Sequence, residues 1–179
     1  MKGNLGTING LGKASTQAIQ GEAERVLQNL LTSEFGAEGN EKVVPAGKLV
    51  TDKNGGVHVR FKFEINGKEV LGAAVVLHTQ VDGRVYLANG EFCTGDGVAS
   101  EPDIDADTAI EIALGQAGIE SGTKIGDTTL TNVYGRDRNV YLAWMHLIEY
   151  TIDTPGADQG LHRDDIFANA QNGDWVATH

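Results

Sequence analysis

From Val57 to Ile65 apolar and polar side chains alternate without a break. Val57, Val59, Phe61, Phe63 and Ile65 stand on one side, and His58, Arg60, Lys62 and Glu64 on the other. A period of two belongs to a strand with one buried and one wet face, because a helix would scatter the same residues around its axis. Asn66-Gly67 follows at once. This pair tolerates positive φ at both central positions of a two-residue hairpin, so the strand is predicted to fold straight back. A second strand is expected over about 68–80. Asp82-Gly83 then predicts another tight turn and a third strand over 84–92. Residues 42–51 supply one more strand before them.

A helix is predicted over about 16–35. Ile19, Ala23, Val26, Leu27, Leu30 and Leu31 recur at spacings of three and four, which makes one apolar stripe. Ser15 or Thr16 can cap its first amides, and Gly36 can end it with a left-handed residue. Residues 94–102 read as a linker rich in turn formers. A second helix should start at Asp105, with Asp107 in its first turn and Ala109, Ile112, Ala113 and Ala117 on its apolar face. Gly118-Ile119 suits a Schellman ending. Strands are expected at about 129–134, 139–152, 162–170 and 174–178, with Asn172-Gly173 as the last hairpin turn. The expected fold class is α+β, in two successive units, each a helix packed on an antiparallel sheet. A flexible lead over 1–15, a first unit over 16–95, a linker over 96–103 and a second unit over 104–179 make up the expected organisation.

The formal net charge is −11 over 179 residues. It is unevenly placed: +1 over residues 1–60, −1 over 61–95 and −11 over 96–179. Such a balance argues against nucleic acid as a partner, since that needs clustered Lys and Arg. No run of apolar residues is long enough to span a membrane. The N-terminal residues have no apolar core of a signal peptide. Cys93 is the single cysteine, so no internal disulfide can form.

The residue patterns of the common catalytic centres are absent. The five histidines are His58, His78, His146, His162 and His179, and none has the helical H-E-x-x-H spacing of a zinc protease. Asp103-Ile-Asp105-Ala-Asp107 imitates the start of a calcium loop. It has Thr108 where glycine is needed and Leu114 where a bidentate glutamate is needed. Gly10-Leu-Gly12-Lys13 lacks the first glycine and the hydroxyl residue of a phosphate loop. The residues therefore predict no catalytic residue, no intrinsic metal and no intrinsic cofactor, and they favour a binding module over an enzyme. A small α+β enzyme or ligand-binding module with a pocket in its sheet stays open.

Two stretches carry a family resemblance. His58-Val-Arg60-Phe61, Asn66-Gly67, Gly72, Leu77-His78, Asp82-Gly83-Arg84-Val85 and Asn89-Gly90 resemble, in that order, the fungalysin/thermolysin propeptide (FTP) motif. The second half resembles a PepSY (cystatin-like) domain. Its helix is matched over 105–118, a strand by Tyr141-Leu-Ala-Trp144, and the closing hairpin by Phe167-Ala-Asn-Ala170 through Gly173-Asp174-Trp175-Val176. FTP followed by PepSY resembles the pro-region of secreted thermolysin-like zinc metalloproteases, of the vibriolysin type.

The resemblance implies a non-catalytic chain, exported with its precursor, that assists folding of a thermolysin-like catalytic domain and then inhibits it. Zinc, and with it calcium, would belong to that partner. Trp175, Val176, Ala177, Thr178 and His179 would form an inhibitory tail, with His179 as the residue left by self-cleavage and in contact with the partner's zinc. His58, Arg60, Asn66, Gly67 and Gly72 are the motif residues, and His58 and Arg60 either face the catalytic domain or pair with Glu64 or Glu69. A free-standing secreted inhibitor of the same fold is the alternative.

Overall fold

The computed structural model describes residues 1–37, 39–119, 121–151 and 160–178. The chain divides into two compact units, Met1–Asp96 and Gly97–His179. Sheet outweighs helix in both, and the class is mixed α+β.

In the first unit, helix α1 (Thr16–Phe35) is opened by the Ser15 side chain, which accepts from the Ala18 amide. It is closed by Gly36 at φ 70°. Its buried residues are the six of the apolar stripe. They pack toward the inner face of an antiparallel sheet, whose strands are β1 (Lys2–Thr7), β2 (Glu41–Pro45), β3 (Val50–Thr51), β4 (Val57–Ile65), β5 (Lys68–Thr79) and β6 (Arg84–Gly90). β6 lies between β1 and β5, and β4 lies between β5 and the β2 and β3 pieces. Val57, Val59, Phe61, Phe63 and Ile65 of β4 all point into the core. Each fully buried side chain of this size contributes about 1.5–3 kcal/mol by leaving water.

Asn66 and Gly67 have φ of 53° and 73°, as the predicted hairpin requires. The β4–β5 register then shifts. Ile65 faces Lys68 and Glu64 faces Glu69, but Lys62 faces Ala74. One residue of β4 is thus set against four of β5, and Gly72 at φ 85° lies within that bulge.

Two expectations for this unit are corrected. The lead over 1–15 is not flexible throughout, because β1 pairs with β6, Ile8 is fully buried and the terminal ammonium donates to the Ala88 carbonyl at 2.8 Å. The free edge of β6 holds backbone groups that this pairing satisfies. Its glycines serve close approach: a Cβ on Gly6 would come within 2.9 Å of Val26. The expected strand over 42–51 is two strands, because Pro45 has no N–H to continue a ladder and Gly47 at φ 82° turns the chain.

In the second unit, α2 (Ala106–Gln116) is capped by Asp105, whose carboxylate accepts from the Thr108 amide and hydroxyl. It ends in the expected Schellman motif, with Ile119 N–H on the Leu114 carbonyl and Gly118 N–H on that of Gly115. The antiparallel strands β7 (Gly122–Tyr134), β8 (Val140–Thr151), β9 (Leu161–Asn169) and β10 (Trp175–Thr178) form a meander in that order. Ala109, Ile110 and Ala113 of α2 pack on Ile148, Ile166 and Ala168. Ile112, expected on that face, is instead 38% exposed. β7 begins earlier than expected, at 122 instead of 129. Its polar first residues gain their order from pairing with β8, across a register shift after Ile125, where Gly126 adopts φ 77°.

Candidate functional site

The motif residues lie on β4 and β5 of the first unit. Alternation puts His58, Arg60, Lys62 and Glu64 on the sheet face opposite the core, and Val76 and His78 join them from β5. Lys62 takes Glu69 as its partner at 2.5 Å. Arg60 faces Val76 across the strands, stands exposed, and makes no ion pair among the described residues. Neither of the ion pairs considered for it, with Glu64 or Glu69, forms.

His58 is held differently. It faces His78, with the two Nδ1 atoms 2.7 Å apart. Its Nε2 lies 3.4 Å from Asp52 Oδ2. His78 Nε2 lies 2.5 Å from Asn89 Oδ1 on β6, and the Tyr86 ring is tilted beside it at 6.3 Å. Asp52 accepts from the amides of Asn54 and Gly56. The Asn54 amide first, then those of Gly56 and the charge of His58, hold its carboxyl below the usual range. This row of four side chains over three strands and a turn was not foreseen from sequence. Its two histidines are 20 residues apart, and only the bulge in β5 brings them opposite.

Asn66 and Gly67 shape the turn and Gly72 the bulge, so these three set register. Glu41 is buried, with its carboxylate accepting from the amides of Gly95 at 2.7 Å and Gly39 at 3.0 Å. It ties the segment after β6 to β2. Cys93 is buried, and burial followed by the charge of Glu41 pushes its thiol up to about 12. At that value it is a thiol and no nucleophile near neutral pH.

The expected tail residues lie on the last strand of the second unit. Residues Trp175–Thr178 form β10, the expected last strand, paired with β9 through Trp175↔Ala168, Ala177↔Phe167 and Thr178↔Ile166. The edge of β9 needs partners, and the turn at Asn172-Gly173, with Gly173 at φ 80°, delivers them. Ala177 is buried. Trp175 packs against the α2 core, its backbone amide on Gln116 at 2.7 Å and the Arg136 guanidinium 5.8 Å above its ring. Val176 is half-buried. His179 lies outside the described residues. Trp144 packs on the same core, its indole N–H on the Ile104 carbonyl at 3.0 Å.

Cavities also lie among the described residues of the second unit. An open cleft of about 840 Å³ lies beside α2 and the ends of β7 and β8, with Asp107, Glu111, Lys124 and Glu149 on its walls. Lys124 is paired with Asp107, and Glu149 with Arg163. A smaller one of about 370 Å³ lies between Arg136, Tyr141 and Trp175. Among the described residues no group of three or more His, Cys, Asp or Glu is arranged to hold a metal ion. No helix of the described residues is long and apolar enough to cross a membrane.

Residues 48–92 match the Fungalysin/Thermolysin Propeptide Motif. The match covers β3 to β6 and contains all four side chains of the His58 row. No curated protein matches the chain. Among solved structures, the Bacillus megaterium YpeB C-terminal domain aligns with 93% of this chain and 65% of its own, at 17% identity and a TM-score of 0.37. The chain thus spans a little under two thirds of that structure's length. What the comparisons establish is a propeptide motif occupying the central hairpins of the first unit.

Proposed function

We propose that this chain is the pro-region of a secreted thermolysin-family zinc metalloendopeptidase, acting as its intramolecular chaperone and its inhibitor. The observation that carries the reading is the propeptide motif over residues 48–92, coincident with a well-packed antiparallel hairpin pair. In this reading the chain does no chemistry. The zinc, and any calcium, belong to the catalytic domain that it binds. PepSY-like packing of α2 on a four-stranded meander is the second half of the same reading.

The geometry suits such work. Sheets offer long backbone edges for docking an extended segment of a partner. Among the described residues only one side of β10 is paired, to β9, so its other side is such an edge. The inhibitory element is then the edge of Trp175–Thr178 carried on the meander, with His179 reaching toward the partner's zinc. Arg60, exposed and without an ion pair, supplies a cation for an acidic group of the partner.

The test mixes the purified chain with a thermolysin-like metalloendopeptidase and follows peptide hydrolysis. It also measures the yield of active protease when the denatured catalytic domain refolds with and without the chain. Inhibition together with a higher refolding yield is expected. If neither appears with any such protease, the cognate one included, the reading is wrong.

A further inference from the structure

His58 and His78 sit directly opposite each other on neighbouring strands, and their Nδ1 atoms lie 2.7 Å apart. The other nitrogen of each ring faces an oxygen, Asp52 Oδ2 for His58 and Asn89 Oδ1 for His78. Carboxylate and amide oxygens only accept, so both Nε2 atoms carry the hydrogen. A neutral imidazole in that tautomer has a bare lone pair on Nδ1. At 2.7 Å the two nitrogens are at hydrogen-bond distance, so one ring carries a further hydrogen that it donates to this lone pair, and a metal ion can take that hydrogen's place between them.

We propose that the His58–His78 pair is a binding site for a divalent transition-metal ion, Zn²⁺ or Cu²⁺, with the two Nδ1 atoms as its protein ligands. Imidazole nitrogen suits both ions. The outer contacts are those a ligand histidine requires: its second nitrogen donates to a carboxylate or carbonyl oxygen, which fixes the tautomer and aims the ring. A tetrahedral ion at about 2.0–2.1 Å from each nitrogen holds them roughly 3.3 Å apart. The rings therefore have to part by only about 0.6 Å, a small side-chain rotation. Space for the remaining ligands exists, because the pair lies on the solvent face of the sheet and the His58 side chain is 23% exposed. Water completes the coordination, so the ion exchanges with solution and is not needed for folding. This site stands apart from the proposed role of the chain and does not depend on it.

The experiment uses the full chain, freed of metal by a chelator, and titrates it with Zn²⁺ by calorimetry and with Cu²⁺ by electron paramagnetic resonance. One ion per chain is expected, with two imidazole nitrogens in the Cu²⁺ spectrum. His58→Gln and His78→Gln should each weaken binding more than tenfold, and His162→Gln should leave it unchanged. Where a glutamine variant fails to fold, nitrogen NMR of the unaltered chain decides. Zn²⁺ must then move the Nδ1 signals of His58 and His78 and leave those of His162 in place. Absence of one-to-one binding, or binding equally strong in both glutamine variants, overturns the proposal. So does an NMR spectrum with hydrogen on Nδ1 of His58 or His78 that Zn²⁺ does not displace. The pair would then be joined by a hydrogen bond alone.

Discussion

A Cβ built on Gly90 would lie 2.0 Å from the Ala74 carbonyl oxygen in the neighbouring strand, and the residue has φ 135°. Only glycine fits both conditions. Gly90→Ala should cost about 1–3 kcal/mol from backbone strain alone, read as a lower urea midpoint. Phe63 is fully buried, and Phe63→Ala should cost about 3–5 kcal/mol in the same measurement. His146 gives the pH dependence. It is buried with its Nδ1 on the Thr128 hydroxyl, while its Nε2 has no partner among the described residues. Burial first, then the charge of Lys124, lowers its pKa from the ordinary 6.5. The unfolded chain therefore takes up this proton more readily than the folded one. Stability from this residue is full above the unfolded value and is lost as the pH falls below it. Both tryptophans lie in the second unit, so their fluorescence should show a lower urea midpoint at pH 5.5 than at pH 7.5, and His146→Leu should shrink that difference. These burials were only half legible. Alternation marked Phe63 as inward, but nothing local marked His146, a histidine in the middle of a strand.

Helix α1 was readable in full, because its caps and its stripe depend on residues within a turn of one another. Ser15→Ala should remove its N-cap and cost about 1 kcal/mol, with faster amide exchange confined to the first turn. Helix α2 was less legible. Ile110 and Ile112 are equally apolar, and the rotation of the helix on β8 and β9 decides that Ile110 is buried. The strands show the same division. β4 declares itself by strict alternation. The first half of β7 does not, since Gly122 to Asp127 are all exposed and their order comes from β8. Strand β1 is hidden in the sequence for a related reason: Gly6 allows it to lie close to α1, a demand invisible before α1 is in place.

At the scale of the whole chain the charge asymmetry has a measurable consequence under the proposed role. The surplus of −11 lies entirely over residues 96–179. If that acidity steers the chain to a protease, the association rate should fall as salt is raised from about 50 to 500 mM, because the Debye length shrinks several-fold. Stopped-flow binding would show it, and a flat rate would leave the acidity as a solubility device.

Local sequence dictates the periods of the central strands and of helix α1, the tight turns and the helix ends. Each of these depends on side chains and φ preferences within a few residues, and folding does not renegotiate them. Which side chains meet is settled by the packing of the folded chain. The Asn66-Gly67 turn, left alone, would set His58 opposite Val75. The bulge around Gly72 slides the strand and sets it opposite His78 instead. A bulge forms where it relieves the packing and twist of a whole sheet, and that sum over distant contacts is written nowhere in the local pattern.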